Sequence, residues 1–314
     1  MNPTLELLKR SRLNRCGPTK SFPFLGLDIN AQWFHEGGET GPLLDLSSRV
    51  KAMRLSSIRI NLFWDWPPTH VDAAISWAKS TGVPEILFDV IPSPPNRGPK
   101  PWYQPWKEGG SEVEHAWRDY AKYLIMKVPF AMWMIGNEPN RIAPLEGGSP
   151  SMWANIYRIF YEVAHEEGAT VVGPALGHST REVSNRDWLR DFFNAGARVD
   201  ILGVHPYDKA FSTMLMIRKL YADLNMGTGP RVWAVETSGS SKAWWINKAP
   251  KEHVAILQRW GYERCFYHVA GGWREDRRAK GIDEFILFNR GVTGQMVATP
   301  NSNKLAALGR WMHT

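Results

Sequence analysis

The sequence is short of thiols, of long apolar runs and of charge blocks, and each shortage removes a class of protein. Its 314 residues include two cysteines, Cys16 and Cys265. Far apart and without a CxxC spacing, they suit neither a disulfide framework nor a zinc site. The nine histidines contain no HExxH, and no GxGxxG or GxxxxGK follows the first apolar run, so the common zinc-peptidase and phosphate-cradling signatures are missing. No metal and no organic cofactor is expected. No apolar run is long enough to cross a membrane. The N-terminus, MNPTLELLKRSRLNRCG, carries charges where a secretion signal needs its apolar stretch. As written the chain is therefore expected in the cytoplasm, unless it was trimmed or leaves by another route.

Low-complexity tracts and linkers are missing too. One domain spanning 1–314 is the economical reading, with 1–22 as an N-terminal extension, because α/β barrels commonly use such a length for a single domain. The net charge of +7 raises the question of a nucleic-acid partner. The basic residues, however, are dispersed, and the densest runs, Lys9–Arg12 and Arg274–Lys280, are short and interrupted. A solvated basic surface explains them, so neither nucleic acid nor membrane is expected as a partner. An acidic polymer remains compatible as a substrate, and the oligomeric state is left open.

What is present is alternation. Short apolar or β-branched runs, at Pro23–Asn30, Ser57–Phe63, Glu85–Ile91, Phe130–Asn137, Ala169–Pro174, Val199–His205, Arg231–Glu236 and Arg264–Val269, read as eight strands. Between them Leu43–Arg54, Val71–Ser80, Glu112–Lys127, Met152–Glu167, Asn185–Ala195, Phe211–Leu224 and Lys251–Tyr262 read as helices, with a last one near Lys304–Met312. In Val71–Ser80 the residues Val71, Ala74, Ile75 and Ala78 share one face, as a single buried stripe requires. Nearly continuous apolar strands suit a parallel sheet covered on both faces. Eight strict β/α repeats predict a (β/α)8 TIM barrel, ahead of an open doubly wound sheet. In such a barrel, polar residues at the C-terminal ends of strands form the active-site mouth.

Two strands end in a carboxylate. MWMIGNEPN, residues 132–140, runs into Glu138 at the end of the fourth strand, and RVWAVETSGSS runs into Glu236 at the end of the seventh. In the seventh strand, period-two alternation predicts Val232, Ala234 and Glu236 on the inner face, and Trp233 and Val235 on the outer. A lone glutamate is more often a surface charge or a salt bridge. Two of them ending apolar staves across one barrel mouth point to glycoside hydrolysis, in which one carboxyl protonates the leaving oxygen and the other attacks or activates water. Asp28, Asn30 and Asp89 could also face the barrel, but layer packing accounts for them equally well.

These segments resemble clan A of the retaining glycoside hydrolases, the "4/7" barrels that include families 5 and 39. GNEPN, Gly136–Asn140, is similar to the clan's fourth-strand Asn-Glu-Pro motif. WAVETS, Trp233–Ser238, is similar to the seventh-strand nucleophile segment. SIRINLFW, Ser57–Trp64, resembles the second strand that brings an Arg to the nucleophile, and GVHPYD, Gly203–Asp208, resembles the sixth, whose aromatic or His touches it. The C-terminal ILFNRGVTGQMVATPNSNKLAALGRW is similar to the turn, Pro and final helix that close many of these barrels. The resemblance implies Glu138 as acid/base and Glu236 as nucleophile. It further implies that Asn137 meets the sugar 2-hydroxyl, and that Arg59 and Tyr207, with His205 nearby, hold Glu236. For Arg59 an ordinary ion pair, and for His205 a satisfied core histidine, are the alternatives.

Sixteen tryptophans are many, and their placement decides their meaning. Trp33, Trp64, Trp66, Trp102, Trp106, Trp244, Trp245 and Trp273 fall in or beside loops after strands, where indole faces can stack on sugar rings. Trp77, Trp117, Trp188 and Trp260 fall on helix faces and read as core. The loop Pro92–Gly110 is long enough to wall a cleft. The expected function is a retaining hydrolase of a β-linked glycan, with an oligosaccharide or polysaccharide as partner and an endo mode favoured by aromatics on several loops. An exo-glycosidase, a transglycosylase on the same site and an inactive sugar-binding barrel are the alternatives.

Overall fold

The computed structural model describes residues 25–29, 50–51, 55–94, 103–108, 110–140, 149–177, 182–227, 229–237, 250–267, 271–272, 288–290 and 296–298. The expected N-terminal extension, the last helix, and most of the helix expected at Leu43–Arg54 fall outside them.

Eight parallel strands close a barrel in sequence order: β1 (Leu25–Ile29), β2 (Ser57–Phe63), β3 (Glu85–Ile91), β4 (Met132–Ile135), β5 (Thr170–Leu176), β6 (Ile201–Val204), β7 (Val232–Thr237) and β8 (Arg264–Tyr267). Closure is made where Leu25–Leu27 pair with Cys265–Tyr267. Seven helices accompany them among the described residues: α1 (Pro68–Ser80), α2 (Gln104–Glu108), α3 (Ser111–Lys127), α4 (Pro150–Glu166), α5 (Glu182–Asn194), α6 (Ala210–Asp223) and α7 (Pro250–Trp260). The chain is a (β/α)8 barrel, and no described helix is long and apolar enough to cross a membrane. Beyond β8, the short strands β9 (Gly271–Gly272), β10 (Phe288–Arg290) and β11 (Met296–Ala298) form a separate three-stranded sheet.

Local sequence explains the elements. Helix α1 has Pro at its start, where the missing N–H costs no bond, and buries Val71, Ala74, Ile75 and Ala78 together with Trp77. Helix α4 is capped by Ser149, whose side chain accepts from the Met152 N–H at 3.1 Å, satisfying a donor that the first turn would otherwise leave unpaired.

Period-two alternation sorts the strands into two faces. Leu87, Met134, Val172, Ile201, Trp233, Val235 and Phe266 form one cluster without any helix residue, which is the barrel interior. Ile58, Ile60, Phe88, Val90, Trp133, Ile135, Val232 and Ala234 belong to the larger cluster shared with the helices. This reverses the face expected for the seventh strand: Trp233 and Val235 point in, and Val232 and Ala234 point out. Alternation alone would then turn Glu236 away. A register shift between Ala234 and Thr237 breaks the alternation. Glu236 thus enters the mouth, while Thr237 points outward and hydrogen-bonds His253 of α7 at 2.6 Å.

The loop expected at Pro92–Gly110 contains α2, and its Trp106 is buried, with its indole N–H donating to the Pro92 carbonyl at 3.0 Å. Trp106 joins Trp64, Trp117 and Tyr120 in an aromatic cluster with centroids 5.0–6.0 Å apart. Trp117 is its centre, fully buried and bonded through its indole N–H to the Ile156 carbonyl. Trp117→Ala should cost about 3–5 kcal/mol, the range for emptying a large aromatic site, measured by urea unfolding; a loss under 1 kcal/mol would show that the cluster collapses around the gap.

Candidate active site

The site grows from one buried cation. Arg59 lies on the inner face of β2, with its side chain 1% exposed. Burial opposes its charge, but Asp28, Asp89 and Glu236 surround it and hold its proton more firmly than in water. One guanidinium nitrogen meets Glu236 Oε2 at 3.1 Å, Asp28 Oδ2 at 3.3 Å and the Val235 carbonyl at 3.2 Å. The other meets Asp89 Oδ2 at 2.7 Å and Asn137 Oδ1 at 2.6 Å. Register makes this possible, because Asp28 sits beside Arg59 across the β1–β2 pair, while Asp89 lies on the inner face of β3.

One cation thus faces three carboxylates, and the buried cluster cannot carry all of their charge cheaply. Asp89 is the most buried of the three. Its desolvation raises the carboxyl to about 6, against the pull of Arg59 and with the help of Asp28.

Glu236 is fixed at both oxygens: Arg59 takes Oε2, and the Tyr207 hydroxyl donates to Oε1. Burial first, then the nearby charge of Glu236, pushes the Tyr207 phenol far above its usual range, so it keeps its proton and acts as a donor. Both contacts favour the charged form of Glu236.

Glu138 leaves β4 through a sharp turn, with Gly136 at φ 73° and Glu138 itself at φ 51°. A Cβ on Gly136 would lie 2.4 Å from the Trp153 ring, so only glycine fits there. The Glu138 side chain, 18% exposed, approaches His205 Nδ1 at 3.3 Å, and the same nitrogen lies 3.7 Å from Glu236 Oε2. His205 Nε2 is buried with no hydrogen-bond partner among the described residues. One ligand atom each from Glu138, His205 and Glu236 fall within 4.8 Å of one another. That grouping could offer three ligands to a metal ion. A divalent cation there would, however, sit against the Arg59 guanidinium and compete with the Tyr207 proton for Glu236, so the donor set suits a metal poorly.

Three of the four non-glycine residues with positive φ among those described are Glu138, Ala175 and Tyr207. All follow or end strands at this mouth. Such backbone costs on the order of 1–3 kcal/mol per residue and persists where surrounding contacts impose it.

The six polar residues singled out in the sequence, Arg59, Asn137, Glu138, His205, Tyr207 and Glu236, are therefore brought together. Three of the tryptophans are not. Trp64, Trp66 and Trp106 are 6–8% exposed and packed in the core, because rings of that size fill the space between strands and helices. Trp33, Trp102, Trp244 and Trp273 lie outside the described residues. Sequence reasoning undervalued Asp28 and Asp89. The signal was available: Asp28 is the single charged residue of its apolar run, and Asp89 interrupts the apolar stretch that follows Glu85, each on the same face as Arg59.

Residues 105–259 match the family model of the glycosyl hydrolase catalytic core, a stretch that holds Glu138, His205, Tyr207 and Glu236. No curated protein matches the chain in sequence. Among solved structures, the chain is similar to a GH39 β-xylosidase from Caulobacter crescentus, with 14% identity, coverage of 95% of this chain and 73% of that one, and TM-score 0.60. It is also similar to a mutant of Saccharomyces cerevisiae Gas2p in complex with laminaritetraose and laminaripentaose, with 13% identity, 94% and 65% coverage, and TM-score 0.61. The Gas2p apostructure matches with 12% identity, 92% and 60% coverage, and TM-score 0.59. The chain thus spans less than two thirds of either Gas2p structure. At these identities the likeness is one of fold.

The Asp89 carboxyl yields a pH prediction. Unfolded, it titrates near 4; folded, at about 6. Between those values the folded chain holds the extra proton, so this contribution is fullest below about pH 4, falls as pH rises to 6 and is level above. At about 1.4 kcal/mol per unit the change is on the order of 2–3 kcal/mol. The difference in unfolding free energy between wild type and Asp89→Asn should decline by that order between pH 4 and 6; a flat difference would mean that Arg59 keeps Asp89 ionised.

Proposed function

We propose that this chain, whose residues 105–259 match the family model of the glycosyl hydrolase catalytic core, is a retaining glycosidase acting on a β-linked glycan. The observation that carries the reading is the nearness of Glu138 and Glu236, one carboxylate oxygen of each lying within 4.8 Å of the other. Retaining enzymes hold their carboxyl groups about 5–5.5 Å apart, whereas inverting enzymes need about 6.5–9.5 Å to admit a water between carboxylate and sugar. The short separation favours direct attack by one of them.

The two environments divide the labour. Glu236, held by a cation and a phenol, attacks the anomeric carbon as the glycosidic bond breaks. Glu138, more exposed than Glu236 and against His205, gives its proton to the departing oxygen. In the second step Glu138 takes a proton from water, the resulting hydroxide attacks the anomeric carbon, and Glu236 leaves with the electron pair it had shared. Asn137 spends its carbonyl on Arg59, so what it offers the sugar is its NH2. A donor there suits the 2-hydroxyl oxygen, and the contact would strengthen in the transition state. His205 touches both carboxylates and can follow the proton between half-reactions.

The endo mode rests on the loop tryptophans Trp33, Trp102, Trp244 and Trp273, which would supply the stacking that Trp64, Trp66 and Trp106 do not. The similar folds suggest where to begin among substrates: laminari-oligosaccharides and β-xylosides first, then mannans, galactans and acidic polysaccharides.

The test is product release from that panel, followed by chromatography, for wild type and two variants. Glu236→Gln should lose at least about 1,000-fold in kcat, since no covalent intermediate can form. Glu138→Gln should lose about 100-fold or more on polysaccharide but far less on activated aryl glycosides, whose leaving groups need little protonation. Retention of a polymer by all three proteins with no release by wild type would sink the enzymatic reading in favour of a binding barrel.

A further inference from the structure

Glu138 is held in a backbone conformation it would not choose, and the ladder between β4 and β5 shows what holds it. Regular pairing of the two strands stops at Met134 and Val172. The next rung would use the N–H and carbonyl of Ile135, which face β5 because Gly136 N–H turns to Val90 of β3. Strand β5 does not take that rung. The hydroxyl of Tyr157, from α4, takes it instead: it donates to the Ile135 carbonyl at 2.7 Å and accepts from the Ile135 N–H at 3.2 Å. The phenol is fully buried. It reaches this point because residue 173 is glycine, where a Cβ would stand 1.9 Å from the Tyr157 oxygen.

The strands rejoin above the wedge. The Glu138 N–H donates to the Ala175 carbonyl at 3.0 Å. Asn140 then grips the next part of β5's exit: its amide donates to the Gly177 carbonyl at 3.1 Å, and its side-chain oxygen accepts from the Gly177 N–H at 2.7 Å. Asn185 of α5 braces the same amide at 2.7 Å. Glu138 therefore sits on a span anchored below by Tyr157 and above by Asn140. Each anchor is a side chain that substitutes for a strand bond.

We infer that Tyr157 and Asn140 are positioning residues for Glu138, the pair that forces the turn after β4 and aims its carboxylate at His205 and Glu236. The inference gains its functional meaning from the reading of Glu138 as acid/base, but the geometry it asserts can be tested without turnover. Tyr157→Phe removes the hydroxyl and leaves two buried backbone groups of Ile135 unpaired, which allows β4 to slide toward β5. Asn140→Ala releases the upper anchor at a half-buried site. In either case the Glu138 carboxylate leaves its contact with His205 Nδ1, while Glu236, held by Arg59 and Tyr207, stays.

The experiment is carboxyl 13C NMR of the full chain labelled at glutamate, with the Glu138 and Glu236 signals assigned by Glu138→Gln and Glu236→Gln. In Asn140→Ala, and in Tyr157→Phe, the Glu138 titration midpoint should move by about half a unit or more, as loss of a close charged or hydrogen-bonding partner does, with Glu236 unmoved. Unfolding temperature is read alongside. A lowered Tm with an unmoved Glu138 midpoint overturns the inference, because the residues would then be structural only. Equal movement of both glutamates overturns it too, because the change would be general loosening. If Tyr157→Phe does not fold, Asn140→Ala decides. Failure of the acid/base reading shows elsewhere, as unchanged kinetics of Glu138→Gln on the cleaved polymer.

Discussion

Everything at the mouth of this barrel depends on a guanidinium that cannot reach water. Arg59 contacts β1 through Asp28, β3 through Asp89, the exit of β4 through Asn137, and β7 through Val235 and Glu236. Removing such a charge's partners one at a time would be costly, because a buried cation without them pays its full desolvation. The same dependence fixes geometry. A planar fork with several donors holds Glu236 at one end and Asn137 at the other, so the carboxylate and the amide are positioned by one rigid group. An ammonium in its place could not do this, since a point charge does not set directions.

Strain is the second constraint. Regular strands would present side chains alternately in and out, and a mouth built that way would space its carboxylates by the pleat alone. The protein departs from the pleat where it places Glu138, Tyr207 and Glu236. The shift between Ala234 and Thr237 turns Glu236 inward, and left-handed residues after β4 and β6 aim Glu138 and Tyr207. The β2–β3 pair that carries Arg59 and Asp89 remains regular from Ser57 and Glu85 to Phe63 and Ile91. Regular staves supply the stability from which the irregular tips draw.

How much of this could be read in the sequence follows from the same division. The eight staves and the described helices between them were legible because burial on two faces writes near-continuous apolar runs, and helix packing writes a period of 3.6. The two glutamates were legible because each ends such a run. What alternation could not give was the facing of β7: Trp233 looks too large for a barrel interior, and the register shift that redirects Glu236 leaves no local signature. Trp64 and Trp106 misled for a related reason. A ring after a strand can stack on a sugar or fill the gap beneath a helix, and composition is the same in both cases. Asp28 and Asp89 were visible as acids interrupting apolar stretches, but their meaning came only once Arg59 lay between them.

The central claim is that Glu138 and Glu236 act by double displacement. Its most direct test is time-resolved 1H NMR of the anomeric protons on whichever β-linked glycan the protein is found to cleave. Double displacement predicts that the β-anomer forms first and the α-anomer only later, by mutarotation. First release of the α-anomer would contradict the account, because it would require water to attack directly and the close pair of carboxylates to serve some other end.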